Sequence, residues 1–144
     1  MNTQDQYLKA IYLVQRMQDG PAATGTLADA LSVSPASVNE MVGKLEDRGF
    51  VEHEKYKGAT LTDEGIVRAE DALQNYCIIE RFLANVLEVE NFREEAHALE
   101  AVIDDTVAER LDTIIDRRGD CPDCFDAEAD KCKHLELSVE ETAD

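Results

Sequence analysis

Two short helical segments with a β-hairpin directly after them restrict the possible folds of this chain more than any other feature. Residues 24–31 have apolar side chains at helical spacing, and we expect Thr24 or Thr26 to cap this segment. Ser34 and Pro35 are typical of the N-cap and first position of the next helix, because a proline there loses no hydrogen bond. The apolar stripe of that helix consists of Val38, Met41, Val42 and Leu45.

The segment after this pair of helices predicts a hairpin. Residues 50–62 contain two short runs of strand-like alternation on either side of Lys57 and Gly58, which indicate a turn. An amphipathic helix is predicted earlier, over residues 5–18. A helix-turn-helix followed at once by a hairpin is the winged-helix arrangement. We therefore predict a mostly α fold with a small β-hairpin wing.

The second half of the chain is predicted to be helical. Thr62 can cap a long helix that continues to about Glu88, and two further helices are predicted over residues 92–103 and 105–118. Six positions of the long helix repeat at spacings of three and four, which suits either the core of the chain or a partner helix. They are Ala69, Leu73, Tyr76, Glu80, Leu83 and Leu87. From Gly119 onward the helical pattern stops.

Acidic residues are distributed unevenly between the two halves. The chain has 14 Lys and Arg against 32 Asp and Glu, a formal net charge of −18. Residues 1–62 contain six bases and eight acids (net −2), whereas residues 63–144 contain eight bases and 24 acids (net −16). Such acidity normally argues against a nucleic-acid partner, because phosphate contacts need Lys and Arg. We attribute it to a halophilic origin, since high salt screens the repulsion, and the near-neutral front half then stays suited to DNA.

The sequence predicts no membrane or secretory protein. No apolar run approaches the roughly 20 residues that cross a bilayer, and the first residues lack the basic and apolar regions of a signal peptide. We expect a cytoplasmic protein whose cysteines are reduced thiols or metal ligands. A glycine-rich phosphate loop, a serine nucleophile motif and a His-Glu-x-x-His pattern are missing from the sequence, so no enzyme activity is predicted.

Three of the four cysteines lie close together in the tail. Cys121, Cys124, Cys132 and His134 form a Cys-x2-Cys-x7-Cys-x-His array, whose three thiolates and one imidazole suit a tetrahedral ion. We predict a zinc or iron(II) site here, which either stabilises the fold of the dimerisation domain or senses the metal. The alternative is a set of thiols that are inert or respond to oxidants. Cys77, in the long helix, is expected in the core.

Four short segments give the chain a family resemblance. They are YLKAIY at residues 7–12, SPASVNEMVGKL at 34–45, EKYKG at 54–58 and LTDEG at 61–65. Through them the chain resembles the diphtheria toxin repressor and manganese transport regulator (DtxR/MntR) family of metal-dependent transcriptional repressors. The resemblance extends from residue 5 to about residue 118, and the wing segment is its most specific part.

The resemblance implies a short, two-domain member of that family. Residues 1–63 would form a winged helix-turn-helix DNA-binding domain and residues 64–118 a helical metal-binding and dimerisation domain, with residues 119–144 as an acidic Cys/His tail. A homodimer would bind double-stranded operator DNA. A divalent metal between the domains, iron or manganese, would shift the two winged helices towards the spacing of successive major grooves.

The predicted DNA contacts lie off the apolar stripe of the second helix of the pair and on the wing. Asn39 could pair with adenine, Glu40 could accept a hydrogen bond from cytosine, and Ala36 could contact a thymine methyl group. The basic residues would meet phosphates and Tyr56 would pack or bond at the wing; the alternative is that all are ordinary solvated side chains. The predicted set is Ser34, Ala36, Ser37, Asn39, Glu40, Lys44, Arg48, Lys55, Tyr56 and Lys57.

The resemblance also implies an interdomain metal site, in which several family ligands are changed. By position, Glu80 and Glu100 retain family carboxylates. His97 stands where relatives have Cys or Glu, and Gln6 stands where they have Asp or Met. Tyr76 stands where the family has a histidine, Ala101 replaces another, and Lys9 replaces a glutamate. We predict that this reduced site, rich in oxygen and nitrogen donors, still holds iron(II) or manganese(II). The alternative is that the donors are ordinary polar residues of acidic helices.

The predicted function is thus a metal-responsive repressor of metal-uptake genes. A second hypothesis within DNA binding is a winged-helix regulator that senses oxidants through Cys121 and Cys124, with structural zinc in the tail. A metal-dependent enzyme or a metal buffer is the third, but it leaves the winged-helix half of the chain unexplained.

Overall fold

A computed structural model describes residues 3–115 of the chain and the backbone of residues 125–126 and 131–132. Within these residues the elements are α1 Thr3–Gln18, α2 Thr24–Leu31, α3 Pro35–Asp47, β1 Val51–Glu54, β2 Gly58–Leu61, α4 Asp63–Arg81, a π-helical turn Phe82–Val86, α5 Phe92–Glu100, α6 Asp105–Asp112, β3 Phe125–Asp126 and β4 Lys131–Cys132. The predicted fold class, mostly α with a hairpin wing, is confirmed. None of the helices in this part of the chain has the length and apolarity that a bilayer span requires.

The chain divides into two compact units, Asn2–Ala72 and a second unit from Leu73 onward. The first unit packs α1, α2 and α3 around one apolar core, to which the wing contributes Val51, Ala59 and Leu61. In the wing, β1 and β2 are antiparallel, with Val51 opposite Leu61. Ala22 extends this small sheet by one residue, because it exchanges two backbone hydrogen bonds with Ala59, of 2.8 and 2.9 Å.

Short polar side chains set the helix boundaries of the first unit. Ser34 caps α3 as predicted, since its hydroxyl accepts a hydrogen bond from the Ser37 N–H at 3.1 Å. Thr62 likewise caps α4 by accepting from the Gly65 N–H at 3.1 Å. The predicted threonine cap of α2 is wrong. Its N-cap residue is Ala23, whose N–H donates to the side-chain oxygen of Gln18 instead.

The second unit packs the later part of α4 and the π-helical turn against α5. The predicted long helix extends to Val86, near its expected end at about Glu88, but it is α-helical only to Arg81 and π-helical over Phe82–Val86. The backbone takes a left-handed conformation at Glu88. α6 ends early, at Asp112. Of the six-residue stripe, five members are buried within this one chain and only Leu87 is largely exposed (53%). The stripe up to Leu83 therefore belongs to the core rather than to a partner helix.

Candidate nucleic-acid interface and metal centre

The predicted DNA-binding side chains all lie on the surface of the first unit. Every one of the ten is exposed, whereas the α3 residues between them, Val38, Val42 and Leu45, are buried in the core. This separation follows from helical periodicity, because residues three and four apart share a face. The outer face of α3 and the tip of the wing are thus both available to a partner.

Hydrogen bonds hold the start of the outer α3 face in a defined geometry. The hydroxyls of Ser34 and Ser37 lie 3.0 Å apart, and the Thr24 hydroxyl donates to the Asn39 side-chain oxygen at 3.5 Å. Behind α3, burial raises the pKa of the Tyr7 phenol, and the Glu40 carboxylate raises it further. Tyr7 therefore stays neutral at physiological pH and adds no charge beneath this face.

The wing tip presents an aromatic ring and two lysines. Tyr56 is 95% exposed and adopts a left-handed backbone conformation (φ 68°), with the Lys55 ammonium 5.3 Å from the centre of its ring. A tyrosine in this conformation costs of order 1–3 kcal/mol, so the neighbouring structure must impose it. Gly58, two residues further on, passes close to Ala22. At its φ of 125°, an added Cβ would lie 2.1 Å from the Ala22 carbonyl oxygen.

Two of the predicted phosphate-binding lysines are paired with carboxylates in this structure. Lys44 lies 3.7 Å from Glu40, and Lys57 lies 3.8 Å from Glu54. Exposed pairs of this kind contribute only about 0.3–0.5 kcal/mol, so phosphates can displace the glutamates at small cost. Arg48 donates a hydrogen bond to the Gln4 side chain.

In the second unit, the structure brings three side chains of the predicted metal region together. The Tyr76 hydroxyl lies 3.2 Å from His97 Nε2, and the two rings are in contact with their centres 4.8 Å apart. On the other side of the imidazole, Nδ1 lies 3.6 Å from a Glu100 carboxylate oxygen. Tyr76 is fully buried (0% exposed) and Glu100 nearly so (5%), whereas the His97 side chain is 39% exposed.

The donors present do not by themselves make a complete metal site of the usual residue types. Among residues 3–115, no three His, Cys, Asp or Glu side chains come together in a group that could hold an ion. Glu80 is fully buried on α4, and Gln6 lies on α1 in the other unit. The structure therefore joins His97 to Glu100, and the four-donor site as a whole stays a prediction. The tail donors Cys121, Cys124 and His134, and the side chain of Cys132, lie outside the described residues.

Comparison with known proteins shows what these two units are. Residues 1–59 match the family "Iron dependent repressor, N-terminal DNA binding domain", and residues 62–125 match "Iron dependent repressor, metal binding and dimerisation domain". An uncharacterised helix-turn-helix-type transcriptional regulator of Methanocaldococcus jannaschii is 35% identical over 118 residues, which cover 81% of this chain and 94% of the relative. The chain belongs to the iron-dependent repressor family.

Other proteins similar to this chain carry the names manganese regulator or MntR. The transcriptional regulator MntR of Lysinibacillus sphaericus is 30% identical over 132 residues, covering 90% of this chain and 94% of the relative. The solved structure of the manganese regulator SloR superposes with a TM-score of 0.65 at 34% identity, covering 79% of this chain and 54% of SloR. The chain thus spans about half the length of that solved protein. The family resemblance is confirmed, and the chain is a metal-dependent transcriptional regulator of the DtxR/MntR family.

In this member of the iron-dependent repressor family, the contact of Tyr76 with His97 is not predicted from the sequence. Tyr76 stands where the family has a histidine, and its hydroxyl contacts the His97 imidazole. The spacing along α4 gives a signal for a shared helix face with Glu80, though none for the contact with His97. Tyr76 and Glu80 are four residues apart on one helix and so share a face, and tyrosine also carries an oxygen donor.

Proposed function

We propose that this protein is a homodimeric repressor of metal-uptake genes that binds double-stranded operator DNA when it holds iron or manganese. The observation that carries the proposal is that all ten predicted contact residues on α3 and the wing are exposed. They lie within the half of the chain that carries a net charge of only −2. A surface that contacts phosphates must carry less negative charge than the rest of the chain, because phosphates repel carboxylates.

Within this proposal, α3 reads bases and the wing holds the backbone of the duplex. Asn39 has the two side-chain groups that pair with adenine, while Lys44, Lys55 and Lys57 supply charges for phosphates. Double-stranded DNA offers two equivalent half-sites to a two-fold dimer. The family's dimerisation domain in residues 62–125 supports such an assembly.

The proposed metal lies with His97, Glu100, Glu80 and Gln6, as iron(II) or manganese(II). The carboxylates and the imidazole are donors that suit these ions, and a bound ion supplies positive charge beside buried carboxylates. The name of SloR as a manganese regulator supports this class of ion. We place the protein in the cytoplasm, where the genes it would control are found.

Operator binding at defined salt tests the DNA part of the proposal. Fluorescence anisotropy with promoter fragments should show binding that tightens at least tenfold with Fe(II) or Mn(II). Asn39→Ala should lose about 1–3 kcal/mol of specific binding, whereas Lys44→Gln should weaken all sequences alike and lower the salt dependence by about one unit. Binding that ignores both substitutions and every metal would refute the proposal. The salt must be stated and should include molar KCl, because affinity for DNA depends steeply on it.

A second proposed site, for zinc or iron(II), consists of Cys121, Cys124, Cys132 and His134. Two facts support it: β3 and β4 pair with Phe125 opposite Cys132, and Cys124 directly precedes Phe125 in the sequence. The antiparallel pairing means that the chain reverses direction between Cys124 and Cys132. Such a reversal is needed if residues from both strands are to bind one ion.

Elemental analysis and a tail variant decide the role of this second site. The purified protein should contain about one additional ion per chain, which Cys121→Ser with Cys124→Ser removes. If the metal response of DNA binding is unchanged while thermal stability falls, the tail is structural. If the response disappears with stability intact, the tail is the sensor. An unchanged metal content in the variant would exclude the site.

Loss of operator binding on thiol alkylation without loss of metal would favour the oxidant-sensing alternative.

A further inference from the structure

The outer edge of β2 is hydrogen-bonded to the helical part of the first unit at two places. A two-stranded hairpin is only marginally stable by itself, because the backbone groups on its outer edges have no partner within the sheet. At one place, Ala59 exchanges two backbone hydrogen bonds with Ala22. At the other, the Leu61 N–H donates to the side-chain oxygen of Gln15 on α1 at 3.0 Å. The second strand of the wing is therefore attached along its free side.

The outer edge of β1 is held by one charged side chain from α3. The His53 N–H donates to a carboxylate oxygen of Glu46 at 2.9 Å. Hydrogen bonds to an ionised acceptor are roughly twice as strong as those between neutral groups. His53 stands opposite Ala59 in the register of the hairpin. Glu46 and Ala22 therefore hold the same cross-strand pair from its two sides.

The tip of the wing begins directly after this attached pair. The turn is closed at 3.1 Å by a hydrogen bond from the Lys57 N–H to the Glu54 carbonyl oxygen. Residues 55–57, which carry the predicted wing contacts with DNA, all lie within this turn. Because the turn is short and closed, the place of its two lysines depends on where the pair of His53 and Ala59 is held.

We propose that Glu46 is a positioning residue for DNA binding, because it holds the wing at a fixed place beside α3. The wing and α3 then meet the duplex as one rigid body. A wing that is already in place loses less conformational freedom when DNA binds, so the affinity is higher. The inference rests on the proposed function, since it assumes that Lys55 and Lys57 contact phosphates. Glu46 acts through the His53 backbone and not through a contact with DNA.

The location of Glu46 on α3 separates this role from a simple effect of its charge. Glu46 follows Asn39 by seven residues, so the two lie on the same side of the helix, about 10 Å apart along its axis. A carboxylate there repels the phosphates of a duplex that Asn39 reads. Charge alone thus predicts that removal of Glu46 strengthens DNA binding, whereas the positioning role predicts that it weakens it.

Anisotropy titrations of the full chain with a random-sequence duplex and saturating Mn(II) test the sign of this effect. The duplex can be random because phosphate contacts do not depend on sequence. Glu46→Ala removes the acceptor and should weaken binding about three- to tenfold, the factor that one hydrogen bond provides. Glu46→Gln removes the charge but keeps an oxygen for the His53 N–H, so it should bind at least as tightly as the wild type. Glu52→Ala, which removes an exposed carboxylate of β1, is the control and should not weaken binding.

Two further measurements on the same variants report on the wing itself. In hydrogen exchange followed by NMR, the His53 N–H should exchange several-fold faster in Glu46→Ala than in Glu46→Gln, while the Ala59 N–H keeps its protection. The salt dependence of DNA binding should fall by about one to two units in Glu46→Ala, because Lys55 and Lys57 each neutralise about one phosphate. A loss of general stability would not produce this combination.

The inference is overturned if Glu46→Ala binds the duplex as tightly as Glu46→Gln, or if its His53 N–H exchanges no faster. The variant Lys55→Gln with Lys57→Gln keeps this result apart from the proposed function. If that variant binds more weakly than the wild type while Glu46→Ala does not, only the positioning role is refuted. If it binds as tightly as the wild type, the wing does not contact DNA, and the proposed wing contacts and the positioning role both fail.

Discussion

The DNA-binding unit and the metal-binding unit differ in how their functional residues can be recognised. In the first unit, the proposed DNA contacts are side chains of α3 and the wing, and all ten of these residues are exposed. In the second, the relevant side chains are buried polar groups whose partners come from elements some twenty residues apart, such as Tyr76 and His97. The comparison teaches that a surface can be predicted from spacing along one helix, whereas a buried polar cluster depends on how two helices pack.

The largest expected effect tests whether the wing depends on its tertiary contact with Ala22. Gly58→Ala should destabilise the first unit by about 3 kcal/mol, because it adds a Cβ 2.1 Å from the Ala22 carbonyl oxygen at a positive φ. Urea unfolding followed by circular dichroism would measure the change.

The matched control for this substitution is Gly25→Ala. Gly25 lies in α2 and an added Cβ there has no neighbour within 4 Å, so stability should rise by about 0.5–1 kcal/mol. If the two substitutions changed the free energy of unfolding equally, the contact of Gly58 with Ala22 would not stabilise the wing.

A change at Glu100 should affect the second unit and spare the first. Glu100→Gln removes one of the proposed ligand carboxylates, so metal affinity should fall by at least the roughly 10–100-fold that the loss of an outer partner costs. Isothermal titration with Mn(II) and Fe(II) measures this, with Glu94→Gln, an exposed residue of the same helix, as control. DNA binding at saturating metal should stay near the wild-type level. A Glu94→Gln variant that is equally impaired would show that general acidity, and not the His97 contact, binds the ion.

The smallest expected effect concerns the Glu40 carboxylate on the outer face of α3. Glu40→Gln should change stability by no more than about 0.5 kcal/mol, since it removes an exposed ion pair with Lys44. Affinity for random DNA should rise several-fold because one repulsive charge is removed, while preference for the operator should fall. Anisotropy titrations with operator and random duplexes would check both. An unchanged preference would mean that Glu40 contacts no base.

Much of the fold could be predicted from the sequence because its signals are local. The Ser34 cap, the hairpin and the Thr62 cap depend on residues within a few positions of each other, and the structure has all three. The threonine cap of α2 failed because the helix begins at Thr24 itself, so the N-cap position falls on Ala23, which has no side-chain oxygen. The long helix extends to Val86, near its predicted end at about Glu88, but apolar periodicity gives no signal for its change from α-helical to π-helical geometry after Arg81.

The candidate sites were predictable to different degrees for the same reason. Exposure of the α3 face follows from the 3.6-residue repeat of a helix, so Asn39 and its neighbours were identified correctly as surface residues. The contact of Tyr76 with His97 joins residues 21 positions apart in the sequence, and no spacing rule links them.

The sequence by itself determined the order of elements, the outer face of α3 and the kinds of donor available to a metal, because each follows from residue identity and short-range periodicity. Only the tertiary structure decided that Gly58 must remain without a side chain against Ala22, and that a tyrosine hydroxyl and a glutamate carboxylate lie beside the two nitrogens of His97. Those decisions depend on the packing of distant segments, where a single added carbon or a single hydroxyl fixes which contacts are possible.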